Sequence, residues 1–355
     1  MAVTEVCYAT REEVMRAVDI KFTARSDQQI DRAIQSASRS VDSLMHRVFY
    51  PTITTKYFDW PNFQATWPWK VYLDQAELAD VTVNVPVVTS GGNVIPAADV
   101  FWGPWNYAPP YTRLELNRST SATFGQGDTP QRDVAITGTF GYWVKTAPAG
   151  ALAAAMTDTT GTVASVTNSA AVGVGDSIVV DSERMLVVDK SFVTTAQTQQ
   201  SGLTTAVNND VTLGVTDGTK YFINEVLLLD SEKVLVVAIS GNSLTVIRGW
   251  DGSVLAAHTS ATIYAPRSLT VTRGDLGTTA ATHLNSAAVS LGVVPSLIKE
   301  LAVGEAVNSV LQETGGYART QGQGAGAQTN IGMSLDAIRK QALAEYGRKA
   351  RTRTV

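Results

Sequence analysis

Cysteine and histidine are almost missing from this chain: among 355 residues there is one cysteine, Cys7, and three histidines, His46, His258 and His283. A lone cysteine excludes an intrachain disulfide framework and fits a reducing compartment. Long hydrophobic runs are missing too, since no apolar stretch approaches the roughly 20 residues of a membrane-spanning helix. The opening Met-Ala-Val-Thr-Glu-Val-Cys has no basic region before an apolar run, so no signal peptide is expected. A soluble protein made in a cytoplasm is the expectation, with no membrane partner. Catalytic patterns are equally scarce. There is no Gly-x-Ser-x-Gly elbow and no His-Glu-x-x-His pair. The run Gly322-Gln-Gly-Ala-Gly326 lacks the Lys-Ser/Thr of a phosphate loop, and no strand precedes it. The chain is therefore read as a non-enzyme with no catalytic residue, no metal site and no cofactor. Hydrophobic residues make up 44% and charged residues 17%, the balance of an ordinary folded chain of two or three domains.

What the chain does have is a duplication in an unusual order. Asp181-Ser182-Glu183 recurs as Asp230-Ser231-Glu232, each copy between apolar strands. A second pattern, Arg-Gly-x-x-Gly-Ser/Thr-x-x-Ala-x-His, runs from Arg248 to His258 and again from Arg273 to His283. The offsets are 49 residues for the first pattern and 25 for the second, whereas a tandem repeat would give one offset. One small β module is thus nested inside another. Glu183 with Arg273, and Glu232 with Arg248, read as ion pairs that fix a turn, the glycines supplying positive φ. Acid–base chemistry by the duplicated Glu and His residues is the alternative, and it makes a poor zinc set.

The remaining segments follow from local pattern. Thr10 with Glu13, and Ser26 with Gln29, read as capping boxes of two helices. In the second helix Ile30, Ala33, Ile34, Ala37, Val41, Leu44, Met45 and Val48 recur at helical spacing opposite a polar face that includes Asp31 and Arg39. Residues 51–145 read as strands and loops: Val81, Val83 and Val85 alternate with polar residues, as do Leu114 with Leu116 and Val134 with Ile136. Ser90-Gly91-Gly92-Asn93 reads as a hairpin turn. Aromatic residues cluster there, and Trp60, Trp102 and Trp105 are candidates for a subunit interface. The same row could form a sugar platform. Pro295 opens a helix that Gly315-Gly316 stops, residues 316–333 read as a flexible tether, and Ser334 caps a last helix. Charge is uneven. Six basic residues against two acidic ones give 335–355 a balance of +4, leaving −8 for the rest of a chain with net charge −4. A basic tail on an acidic body points to an acidic partner surface or to nucleic acid.

Taken together, the expected class is α+β. A small helical bundle with an antiparallel β region (1–145 and 286–315) is interrupted by an all-β insertion at 146–285, whose inner module spans about 201–266. The tether and a basic helix with its tail (334–355) follow.

With the insertion set aside, the motif order is distinctive: Arg47-Val-Phe-Tyr50 at the end of a long helix, Tyr72-Leu73-Asp74, Gly91 to Pro96, Pro110 to Leu116, Asp133 to Tyr142, then Ile298-Lys299-Glu300. This resembles the head–tail connector (adaptor) proteins of long-tailed double-stranded DNA bacteriophages, over about residues 5–145 and 286–355. The β modules are similar to small repeats in other phage structural proteins. The resemblance implies a virion protein, assembled in the host cytoplasm. It would form a ring, commonly twelvefold, beneath the portal protein at the capsid vertex. The ring would extend the DNA channel without sequence-specific binding and carry the next neck protein or tail terminator. The C-terminal segment of the family reaches the portal. The matching residues here are Leu335, Ile338, Arg339, Leu343, Tyr346, Arg348, Lys349, Arg351 and Arg353. An aromatic-rich carbohydrate-binding appendage and a hydrolase using Glu232 and His258 are the alternatives.

Overall fold

The computed structural model describes residues 3–18, 26–60, 67–106, 109–314, 320–321, 328–329 and 332–348. Among them the chain is α+β, with four α-helices and antiparallel strand pairing. Helix α1 (Arg11–Ala17) opens on the expected capping box: the Thr10 hydroxyl accepts from the Glu13 N–H, and the Glu13 carboxylate accepts from the Thr10 N–H. Helix α2 (Asp27–Met45) buries Ile30, Ala33, Ile34, Ala37, Val41 and Met45 along one face. It ends where His46 turns left-handed at φ 51°. Two expectations fail here. Ser26 occupies the N-cap, yet its hydroxyl makes no capping bond; Asp27 supplies the first-turn negative charge instead. Asp31, expected on the polar face, is buried because Arg11 grips both its carboxylate oxygens at 2.8 Å.

Helix α3 (Ser296–Thr314) packs along α2, and α4 (Gly332–Tyr346) packs on both. Ile298, Leu301, Ala302, Ala306 and Val310 of α3 join the α2 face in one core, which Leu335 and Ala342 of α4 complete. Helix α4 starts two residues before Ser334, so Ser334 does not cap it. The Gly315-Gly316 stop and most of the 316–333 tether lie outside the described residues.

The first β region holds β1 (Thr52–Phe58), β2 (Lys70–Tyr72), β3 (Leu78–Asp80), β4 (Val87–Ser90), β5 (Asn93–Ile95), β6 (Val100–Gly103), β7 (Arg113–Leu116) and β8 (Val134–Phe140). One sheet runs β1-β8-β4-β5 with β3 also on β8; a second runs β2-β7-β6. The two share a core around Val71, Leu73, Leu78, Leu114 and Ile136. The Ser90–Asn93 hairpin is present, with Ser90 opposite Asn93. The strand expected at Val81–Val85 is not. The Asp80 carboxylate accepts from the N–H groups of Thr82, Val83 and Asn84, bends the chain around itself, and leaves Val83 84% exposed.

The second β region is one long sheet with two cores. It comprises β9 (Thr146–Ala151), β10 (Val163–Ser165), β11 (Ser177–Val180), β12 (Glu183–Thr198), β13 (Ser201–Gly202), β14 (Thr212–Gly214), β15 (Val226–Leu229), β16 (Glu232–Ser240), β17 (Ser243–Ile247), β18 (Thr262–Thr272) and β19 (Ala288–Gly292). The strand order is β13-β14-β17-β16-β15-β18-β12-β11-β19-β9, with β10 on β18. The long pair β12 and β18 runs through both modules, with register shifts at Val187/Asp189, Ser191/Val193 and Thr194/Gln197. Beyond those shifts lies a separate core of Leu203, Leu213, Leu227, Val234, Leu244 and Ile263. Before them lies the outer core of Val166, Ile178, Met185, Leu269 and Val289. The outer sheet continues past residue 285, since β19 pairs with both β9 and β11.

Candidate functional site

The duplicated motif builds the same node twice. In the outer copy Arg273 Nε and Nη2 donate to the two oxygens of Glu183 at 2.7 and 2.8 Å; in the inner copy Arg248 does the same to Glu232 at 2.7 Å each. Arg273 Nη1 donates to the carbonyls of Asp158 and Gly161, and Arg248 Nη1 to those of Thr205 and Asp210. Nη2 reaches the Ala281 carbonyl in one node and that of Ala256 in the other. The glutamates also accept backbone N–H groups, Gly274 and Ala281 for Glu183, Gly249 and Ala256 for Glu232. Gly249 and Gly274 sit at φ 61° and 62°, where a Cβ is strained. The Ser/Thr position ties the turn to the neighbouring strand, through Ser253 to the Lys233 N–H and Thr278 to the Arg184 N–H.

Each histidine lies between two carboxylates. His283 Nδ1 is 2.8 Å from Asp181 and Nε2 is 2.8 Å from Glu183; for His258 the distances are 2.8 Å to Asp230 and 3.0 Å to Glu232. Both imidazoles and both glutamates are fully buried. Burial alone would raise the glutamate carboxyls, but the arginine, backbone and histidine hydrogen bonds outweigh it and hold each at about 2. The glutamates and histidines are spent inside the turn, while the Asp181 and Asp230 side chains, 65% and 64% exposed, close each node at the surface. Among the described residues no group of three or more His, Cys, Asp or Glu could hold a metal ion.

A cleft of about 150 Å³ separates α1 from the β modules. Its charges answer each other: Lys190 meets Glu12 at 3.2 Å, Lys299 meets Glu13 at 2.6 Å, and Arg11 meets Asp189 at 3.0 Å. It is a seam between body and modules. Asp176 lies in it, pushed up to about 7 by burial against the pull of Lys299 and the Gly173 N–H, with Glu13 and Glu12 adding to the rise.

The surface candidates divide. Trp60 is a core residue, 8% exposed and packed on Phe124 with ring centroids 5.2 Å apart, because the chain around Gly125 closes over it. Trp102 is half-buried against the same core, and Trp105 is exposed beside Phe101. On α4, Leu335 is buried and Ile338 packs on the helical core. Arg339 pairs with Glu305 of α3 at 2.6 and 2.8 Å. Tyr346 stacks edge-on with Phe49 and Tyr142. These four are spent within the chain, since their helix must cover the apolar groove of α2 and α3. The Arg348 N–H donates to the Met45 carbonyl at 3.1 Å, and Leu343 stays exposed. Lys349, Arg351 and Arg353 lie outside the described residues.

Two clusters escaped sequence reading. Arg47 donates to the Tyr346 carbonyl at 2.6 Å, pairs with Glu77, and lies 4.6 Å over the Tyr142 ring, joining α2, the first β region and α4. Glu225 is buried between Arg267 and the Ser169 hydroxyl, joining the two β modules. Neither has a local signature, because the partners are 30 to 299 residues apart.

Comparison with family models, curated proteins and solved structures finds no match for this chain.

Proposed function

We propose that this protein is a structural connector: a ring-forming virion protein that joins a portal at the capsid vertex to the next neck protein or tail terminator. The observation that carries the reading is the closure of the two chain ends on one core. Helices α2 and α3 pack together although the β modules lie between them in sequence, and Arg47 locks α4 beside them. On this reading the ends form a small helical bundle with its antiparallel β region, and the nested modules are an insertion on the ring exterior. The motif order Arg47–Tyr50, Asp133–Tyr142 and Ile298–Glu300 belongs to that body. An acidic body suits a DNA channel, because tight phosphate binding requires many basic contacts. Glu232 and His258, on which the hydrolase alternative draws, are fully buried.

The portal grip is narrowed to the outer face of α4, where Lys340 and Leu343 are exposed, together with the basic tail. Negative-stain imaging of the chain mixed with its portal tests the reading. Rings seated on the portal are expected; portals that stay bare at saturating protein overturn it. Leu343→Asp with Lys340→Glu should weaken attachment and leave the fold intact. Deleting 334–355 is a poorer probe, since it strips Leu335 and Ala342 from the core.

A further inference from the structure

The cleft between α1 and the β modules has the make-up of a binding site. It encloses about 150 Å³ between three parts of the chain: α1, the Ser169–Gly173 loop with β12, and the Trp250–Asp251 turn of the inner module. Met15, Val172, Phe192, Trp250, Pro266 and Leu291 supply apolar walls. An apolar cavity of about 150 Å³ accommodates a benzene ring. Two polar side chains of the lining are more than nine-tenths buried and keep hydrogen-bonding capacity in reserve. Trp250 is 6% exposed, and its indole N–H has no acceptor among the described residues. Asp176 is 5% exposed; one carboxyl oxygen accepts from the Gly173 N–H at 2.7 Å, and the other has no partner among the described residues.

The charges around this space select its occupant. Glu12 answers Lys190, Glu13 answers Lys299, Asp251 answers Lys233, Glu225 answers Arg267, and Arg11 is engaged by Asp27, Asp31 and Asp189. Arg16, half-buried in the last turn of α1, is the one cation of the cleft that pairs with no carboxylate of the described residues. Asp176 adds no opposing charge below neutral pH, since burial outweighs the pull of Lys299 and pushes it up to about 7. One positive charge is left over, beside an apolar space sized for a single ring. We infer that the cleft binds a small aromatic carboxylate, its ring among the apolar walls and its carboxylate on Arg16. A guanidinium meets both oxygens of a carboxylate with parallel N–H groups, and Phe192 and Trp250 offer ring edges and faces to an aromatic body. A phosphate dianion would exceed the single free charge and leave the apolar walls uncovered. Such a ligand touches the body, the outer module and the inner module together, and so fixes the seam between them. The inference stands apart from the connector proposal.

Sodium benzoate is the probe, titrated into the full chain at about pH 6, where Asp176 keeps its proton. Amide hydrogen exchange should slow on both walls, in α1 and in the Gly249–Ser253 turn, and saturate in the millimolar range of so small a ligand. Sodium acetate, which lacks the ring, and benzylammonium chloride, which reverses the charge, should leave both walls unchanged at equal ionic strength. Arg16→Gln removes the free charge and should weaken benzoate binding at least about tenfold. Arg32→Gln, at an exposed surface pair on α2, should leave binding as it is. Benzoate that gives no saturable protection at the two walls overturns the inference. So does equal protection by benzylammonium, or an Arg16→Gln variant that binds like the wild type.

Discussion

Removing the Arg248 guanidinium would leave Glu232 fully buried beside unanswered carbonyls. Breaking one partner of such a pair costs about 3–5 kcal/mol. Arg248→Ala should therefore open the inner module, seen as loss of amide hydrogen-exchange protection along β15 to β17. Arg248→Lys should rescue little, since an ammonium cannot span both carboxylate oxygens and the surrounding carbonyls. The same nodes set the acid limit. Their carboxyls are lowered from 4.5 to about 2 in the fold, so the stabilisation is complete above pH 4.5 and lost as pH falls towards 2. Asp176 acts in the opposite sense. Burial raises it from 3.8 to about 7, so the folded state holds a proton that the unfolded chain releases, and stability falls as pH rises through that window. Asp176→Asn should gain roughly 1–3 kcal/mol at pH 8 and almost nothing at pH 4. Thermal melts at the two pH values check this, and an equal gain at both would refute the assignment.

The nested modules can be separated at the level of strands. Ser191 and Ser268 are paired neighbours on β12 and β18, just before a register shift. Joining them by Asn-Gly, a tight hairpin turn, removes the inner core and leaves the outer core of Val187, Leu269 and Val271 complete. The outer module should keep its exchange protection along β11 and β19; collapse there would show that the two modules fold as one. The nesting was legible because Glu183, Arg273 and their copies use one residue set at two offsets. Helix α2 was legible because its apolar face repeats every turn. The Val81–Val85 segment misled because alternation reports a strand only where the backbone is free to extend, and Asp80 holds it bent. The second half of β12 carried no signal, since Lys190 to Thr198 is polar and buries little. Helix α4 was visible as a helix, but its amphipathic face does not say whether the groove it fills belongs to its own chain. Arg47, Tyr142 and Tyr346 settle that only in three dimensions.

At the scale of the molecule, charge separates two kinds of contact. Copies gathered side by side in the proposed ring carry like-charged bodies towards each other. A tail at +4 that meets an acidic platform is drawn by opposite charge. Salt screens both terms, with a Debye length of about 10 Å at 0.1 M and about 3 Å at 1 M. Self-association should therefore tighten as sodium chloride is raised, and attachment to the portal should loosen. Sedimentation velocity reads the first trend and co-sedimentation with portal rings the second, both over one salt series. Slopes of opposite sign are expected. If attachment strengthens with salt alongside self-association, the tail is not the electrostatic contact, and the grip lies with the exposed Leu343 of α4.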